Sequence, residues 1–286
     1  MESVNQQLAK KLSEFDCLKN NPYREQAIAA MCRSVTEQKP LELLLFTCST
    51  INAPKLFGET PWEYVSLDPA KNNLETDLPA LRNILNILQG IYPVKLKIFI
   101  GNTDPYYIYL QQFINFPKEK RPEIRKKFEE RWAAYRTALE KWLRERLPDN
   151  DLEVISWQTW ERGQEKENQL SFEDEFNALY ARGKEVFFEN DLAWEYRKLV
   201  TQFNPEKYFA GLAKPPKNLL KDWICRKFTE YAIQGRWLRQ AFPDAILIQN
   251  EKPSRLRSIM YQNLIKPSGK VLPVLYFFGA DNEGYA

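Results

Sequence analysis

The sequence predicts an α/β fold in which a mostly parallel sheet is flanked by helices. Three observations carry that prediction. Leu41 to Cys48 reads LELLLFTC, a continuous apolar run of strand length, the pattern of a strand covered on both faces. Val94 to Ile100 reads VKLKIFI, which alternates and then becomes wholly apolar. Around these runs lie segments whose apolar residues recur at i, i+3 and i+4, so strands and helices alternate as in βαβ units. The 286 residues predict one catalytic-sized domain, with helices over 1–40 packed on it.

Taken in order, residues 2–16 and 22–38 read as amphipathic helices, followed by the Leu41–Cys48 strand. Trp62 to Leu67 reads as a second strand. Leu78, Leu81, Ile84, Leu85 and Leu88 form a helical stripe that Tyr92-Pro93 brings to an end before the Val94 strand. Pro122 sits where a first helical turn tolerates proline. The long helix after it puts Ile124, Phe128, Trp132, Tyr135, Leu139, Trp142 and Leu143 on one stripe. Leu152 to Trp157 is strand-like, and Ser171-Phe-Glu-Asp174 resembles a capping box that opens a helix. Further helices are expected at about 184–203 and from Pro216 to about Phe242. Ala245–Gln249, Ser258–Tyr261 and Val271–Phe278 are the last strand candidates.

Composition narrows the chemistry. The chain contains no histidine, which removes Ser-His-Asp and Cys-His triads, histidine bases and most zinc sites. Any reaction must use hydroxyls, carboxylates, thiols, amides or groups brought by the substrate. No Walker-type loop, GxGxxG or cluster of metal carboxylates is present, so nucleotide phosphate binding by those routes is not expected. Mean hydropathy is −0.55 and no apolar run nears ~18 residues, so no membrane partner is expected. The N-terminal MESVNQQLAKKLSEF lacks the apolar core of a secretory signal. With four widely spaced cysteines and no CxxC pair, a reduced, cytoplasmic protein is predicted.

In open parallel sheets, ligands bind beyond the carboxyl ends of the strands. Two segments leave such ends here: Thr47-Cys-Ser-Thr-Ile-Asn52 and Gly101-Asn-Thr-Asp-Pro-Tyr-Tyr107. Ser49 is the candidate nucleophile, with a carboxylate, a tyrosine or a substrate amine as its proton acceptor. The plainer reading makes Ser49, Thr50 and Asn52 turn-capping residues, and Asp104 before Pro105 a turn residue.

Charge is uneven. Between Pro117 and Leu147 there are eleven Lys or Arg against six Glu, a local +5 in a chain of net charge +3, so the remainder sums to −2. On the margins of the apolar stripe, Lys118, Arg121, Arg125 and Arg136 lie to one side, and Lys120, Lys127 and Arg131 to the other. Such a strip suits nucleic-acid phosphates. The interleaved glutamates equally suit a solvated helix with i, i+4 ion pairs.

As an ordered set these features resemble the tRNA-dependent cyclodipeptide synthases. Ser49-Thr-Ile-Asn52 after a buried strand is similar to the family's Ser-x-x-Asn signature. Met260-Tyr261-Gln262 is similar to the Tyr-Gln pair of one of its two main subgroups, and the basic helix falls where the family binds tRNA. A helix bearing Tyr231 precedes that pair, as a tyrosine-bearing helix does in the family. The resemblance spans about residues 40–265 in motifs of two to four residues. It implies a Rossmann-like fold similar to the catalytic domain of class I aminoacyl-tRNA synthetases. It also implies a two-step transfer from two aminoacyl-tRNAs, without ATP, metal or other cofactor, with Ser49 esterified first and Asn52 positioning its loop. Tyr231 and Tyr261 would hold the aminoacyl group and its amine, with Gln262, Thr47 and Asp104 lining the substrate site. Ring closure of a dipeptidyl enzyme would release a diketopiperazine.

One departure stands out. The family's Tyr-x-x-x-Glu, whose glutamate binds the amino group, reads Tyr231-Ala-Ile-Gln-Gly235 here. Glu230, Glu251 or Gln234 would have to supply that contact. The Ala53–Thr76 segment and the tail after Gln262 are also long for the family. Two other readings compete: an RNA-binding α/β module without covalent chemistry, and a small-molecule enzyme or sensor with Tyr106, Tyr107 and Tyr109 in its pocket.

Overall fold

The computed structural model describes residues 3–14, 24–48, 60–71, 74–101, 118–169, 171–189, 229, 233–249 and 274–276. Two helices, α1 (Val4–Glu14) and α2 (Arg24–Thr36), precede strand β1 (Leu41–Cys48). Helix α3 (Leu74–Gln89) leads to β2 (Val94–Gly101), and α4 (Arg121–Arg146) to β3 (Asp151–Ser156). Then come α5 (Trp157–Asn168), α6 (Phe172–Glu189), a helical stretch at 233–241, β4 (Ile246–Gln249) and β5 (Val274–Tyr276).

The five strands form one sheet in the order β3-β2-β1-β4-β5, and every neighbouring pair is parallel. The architecture is a Rossmann-like α/β fold, as the alternation of apolar runs and stripes predicts. β1 is central, paired residue for residue with β2 from Leu41↔Val94 to Cys48↔Gly101 and with β4 at Leu45↔Ile248.

Period-two alternation gives the sheet two faces. On one face Leu41, Leu43 and Leu45 of β1, Val94, Leu96, Ile98 and Ile100 of β2, and Leu152 and Val154 of β3 join the larger core. That core is closed by Leu8 and Leu12 of α1, Ala27, Ala30 and Met31 of α2, and the stripes of α3 and α4. All seven stripe residues read from the α4 sequence are buried, Tyr135, Leu139 and Leu143 completely. At roughly 1.5–3 kcal/mol for each fully buried large side chain, this stripe holds the helix far more firmly than its charges do.

The opposite face explains why VKLKIFI alternates before turning apolar. Its N-terminal half is ionic: Lys97 Nζ lies 2.5 Å from Glu42 Oε1, and Lys95 Nζ 3.5 Å from Glu153 Oε2. Its C-terminal half is aromatic, with Phe46 and Phe99 stacked at 5.4 Å beneath Trp157 and Trp160. Leu238 and Phe242, at the end of the 233–241 stretch, complete this second core. Helices thus cover both faces.

Several boundaries differ from the sequence reading. Trp62–Leu67 is no strand: Pro61–Tyr64 is a 3-10 turn, and Val65 forms only an isolated bridge. Pro61 pre-sets the turn, and docking on α4 replaces sheet pairing. Trp157 opens α5 rather than closing β3. α6 runs unbroken to Glu189, so the helix expected at 184–203 begins inside it, and its remainder lies outside the described residues. The capping box holds, with Asp174 N–H donating to Ser171 Oγ at 3.2 Å. Of the Pro216–Phe242 helix, residue 229 and the 233–241 stretch are described and helical. Of Val271–Phe278 the described residues are Val274–Tyr276, which form β5, and Ser258–Tyr261 lies outside the described residues. No helix among the described residues is long and apolar enough to cross a membrane.

Candidate functional site

The strand order places a topological switch between β1 and β4. From β1 the chain moves through α3 and α4, on the larger core, to β2 and β3 on one side. It then returns across the other face, through the 233–241 stretch, to β4 on the other side. In open α/β sheets such a switch point, at the carboxyl ends of the strands, is where ligands bind. Thr47, near the carboxyl end of β1, is buried at 9% exposure and pairs in register with Ile100.

Ser49 follows the last residue of β1 directly in the chain. Ser49, Asn52, Asp104, Glu230, Tyr231, Glu251, Tyr261 and Gln262 lie outside the described residues, as do Tyr106, Tyr107 and Tyr109. Gln234, by contrast, is buried at 3% exposure at the start of the 233–241 stretch. Gly235 follows it inside the helix.

On one margin of α4 the cations are engaged by neighbours within the protein. Lys127 Nζ pairs with Glu123 at 2.9 Å and sits 4.2 Å above the Trp62 ring, while Arg131 Nε donates to the Val65 carbonyl at 2.6 Å. The Lys127 ammonium holds the Glu123 carboxyl below its ordinary value. These two cations dock the 60–65 segment on α4. Further along, Arg144 pairs with Glu140, and Arg146 reaches Glu75 of α3. The other margin carries Lys118 in the 3-10 turn before α4, and Arg121, Arg125 and Arg136 in α4 itself. Arg136 is partly buried, and among the described residues no carboxylate pairs with it.

One buried titratable group stands out among the described residues. Glu161, on the second turn of α5, is partly buried and accepts a hydrogen bond from Trp157 Nε1 at 2.5 Å. Burial pushes its carboxyl up to about 7, against the indole N–H that favours the charged form. The signal was local: Trp157, Trp160 and Glu161 share one helical face directly after a strand. Reading Trp157 as strand hid it.

Among the described residues no group of three His, Cys, Asp or Glu side chains is arranged to hold a metal ion. No protein-family model, curated protein or solved structure matches the chain.

Proposed function

We propose that this chain is a cyclodipeptide synthase that uses two aminoacyl-tRNAs and carries the first aminoacyl group as an ester on Ser49. The observation that supports this most is the position of β1. It is the central strand of an all-parallel sheet and borders the switch point, and its last residue immediately precedes Ser49. A small hydroxyl following that strand is where an open α/β sheet presents groups to a ligand. The basic margin of α4 supports tRNA as the carrier.

In this reading the Ser49 hydroxyl attacks the first aminoacyl-tRNA ester, and tRNA leaves. The amine of the Ser49-bound group then attacks the second ester, and ring closure returns Ser49 and releases a diketopiperazine. The substrate arrives activated, so the protein contributes positioning and proton transfer, and a chain without histidine suffices. Tyr231, Tyr261 and Gln262 hold the aminoacyl groups, with Asn52 positioning the Ser49 loop.

Gly235, where the resemblance calls for a carboxylate, favours a second reading: an RNA-binding module without covalent chemistry. Both readings predict that log Kd for tRNA rises with log salt by roughly 0.7–0.9 per phosphate neutralised. Arg125→Glu with Arg136→Glu is expected to lower that slope by roughly 1.4–1.8, the share of two phosphates. An unchanged slope in filter-binding assays would remove α4 from both. Ribonuclease separates them from a small-molecule enzyme: it halts diketopiperazine formation from aminoacyl-tRNA, but not the turnover of a free metabolite.

A further inference from the structure

We infer that the 60–65 segment is a positioning strap for RNA binding, holding the Arg131 guanidinium and the Lys127 ammonium of α4 where they meet RNA phosphates. The inference rests on the tRNA-binding reading that both proposals share, and adds what readies the helix for its ligand.

Arg131 is held by its inner nitrogen. Its Nε donates to the Val65 carbonyl at 2.6 Å, which fixes the plane of the guanidinium. Among the described residues its two terminal nitrogens have no acceptor, and neither is sealed from water. They form the end-on fork that grips two phosphate oxygens side by side.

Lys127 lies one turn back on the same face, roughly 6 Å along the helix axis. Its Nζ sits 4.2 Å above the Trp62 ring and 2.9 Å from Glu123 Oε1. The side chain stays 39% exposed, so the ammonium is braced yet open to a ligand. Lys120 is near enough to help Lys127 hold the Glu123 carboxyl below its ordinary value. Counting the strap's own Glu63, three cations (Lys120, Lys127 and Arg131) face two carboxylates, so the margin favours an anion.

The strap does not depend on these cations alone. Val65 is fully buried and Trp62 packs against the larger core, so apolar contacts seat the strap as well. A solvated lysine or arginine surrenders rotamer freedom when it grips a phosphate. Here that freedom is already lost on folding, so it no longer weakens the binding step. Trp62 and the Val65 backbone thus act on RNA through Lys127 and Arg131, not by touching it.

The test measures filter binding of the purified full chain to uncharged bulk tRNA, between roughly 50 and 200 mM salt. Circular dichroism on heating verifies that each variant is folded. Arg131→Lys keeps the charge and loses the fork, so Kd should rise about tenfold while the salt slope holds. Arg131→Gln removes the charge, so the slope should fall by roughly 0.7–0.9, the share of one phosphate. Trp62→Leu keeps an apolar contact with the core but removes the ring beneath Lys127, so Kd should rise about threefold. Because Trp62 acts through Lys127, the same change in a Lys127→Ala chain should have no further effect. If Trp62→Leu loosens the fold, the two Arg131 variants, which leave Trp62 and Val65 in place, decide the matter. Wild-type affinity in Arg131→Lys, an unchanged slope in Arg131→Gln, or a Trp62→Leu loss that persists beside Lys127→Ala each overturns the inference while RNA binding stands. A wild type that does not bind tRNA, or binds it regardless of salt, overturns the tRNA-binding reading, and the inference falls with it.

Discussion

Cells expressing Ser49→Ala are expected to release no diketopiperazine, whereas cells expressing the wild type release it into the medium. The whole account passes through one hydroxyl: without it the first aminoacyl group has no covalent carrier, and the second amine has nothing bound to join. Removing one oxygen from a residue beyond the end of β1 leaves both cores intact, so the thermal midpoint should stay within about 2 °C. Loss of product with an unchanged midpoint separates chemistry from folding. Mass spectrometry of the medium reads the product, and circular dichroism on heating reads the fold. Full product from the mutant would transfer the nucleophile's role elsewhere.

Trp157→Ala is expected to cost about 3–5 kcal/mol, the largest stability loss of any single change on the second core. Trp157 is 1% exposed, touches Phe46, Phe99 and Trp160, and donates to Glu161, so truncation opens a cavity and strips a buried carboxyl of its hydrogen bond. Urea unfolding measures the loss, and a cost under 1 kcal/mol would mean that the aromatic wall does not hold α5 to the sheet. A pH series sharpens the result. Glu161 binds its proton more tightly folded than unfolded, about 7 against an ordinary 4.5. Its contribution is therefore complete below pH 4.5 and is lost as pH rises through 7. Wild-type stability should decline across that window, and Glu161→Gln should flatten the decline.

Much of the scaffold was legible because its signals are local. LELLLFTC marks both ends of β1, and the α4 stripe needs only its own 3.6-residue period, with Pro122 placed at its start. The errors fall where a neighbour decides. Trp62-Glu-Tyr-Val65 has strand-forming residues, but Lys127 and Arg131 hold it as a turn on α4. Trp157 ends an apolar run and was read as strand, although its burial is against Phe46 and Phe99, more than fifty residues earlier in the chain.

The site divides in the same way. Thr47 lies near the carboxyl end of the central strand, an end that the apolar run itself marks in the sequence. Lys127 and Arg131 also engage Glu123, the Trp62 ring and the Val65 carbonyl, partners that a count of charges along the sequence does not show. Glu161 is one glutamate among many in the sequence, and what sets it apart, the bond from Trp157 and its burial, becomes readable only once Trp157 is placed on the helix.

The central claim is tested most directly by the intact mass of the purified protein, quenched in acid after mixing with aminoacyl-tRNA. The account predicts a mass increase equal to one aminoacyl residue, mapped by fragmentation to Ser49 and absent from Ser49→Ala. An unmodified wild type that nonetheless releases diketopiperazine would contradict it, since the two amino acids would then have been joined without passing through Ser49.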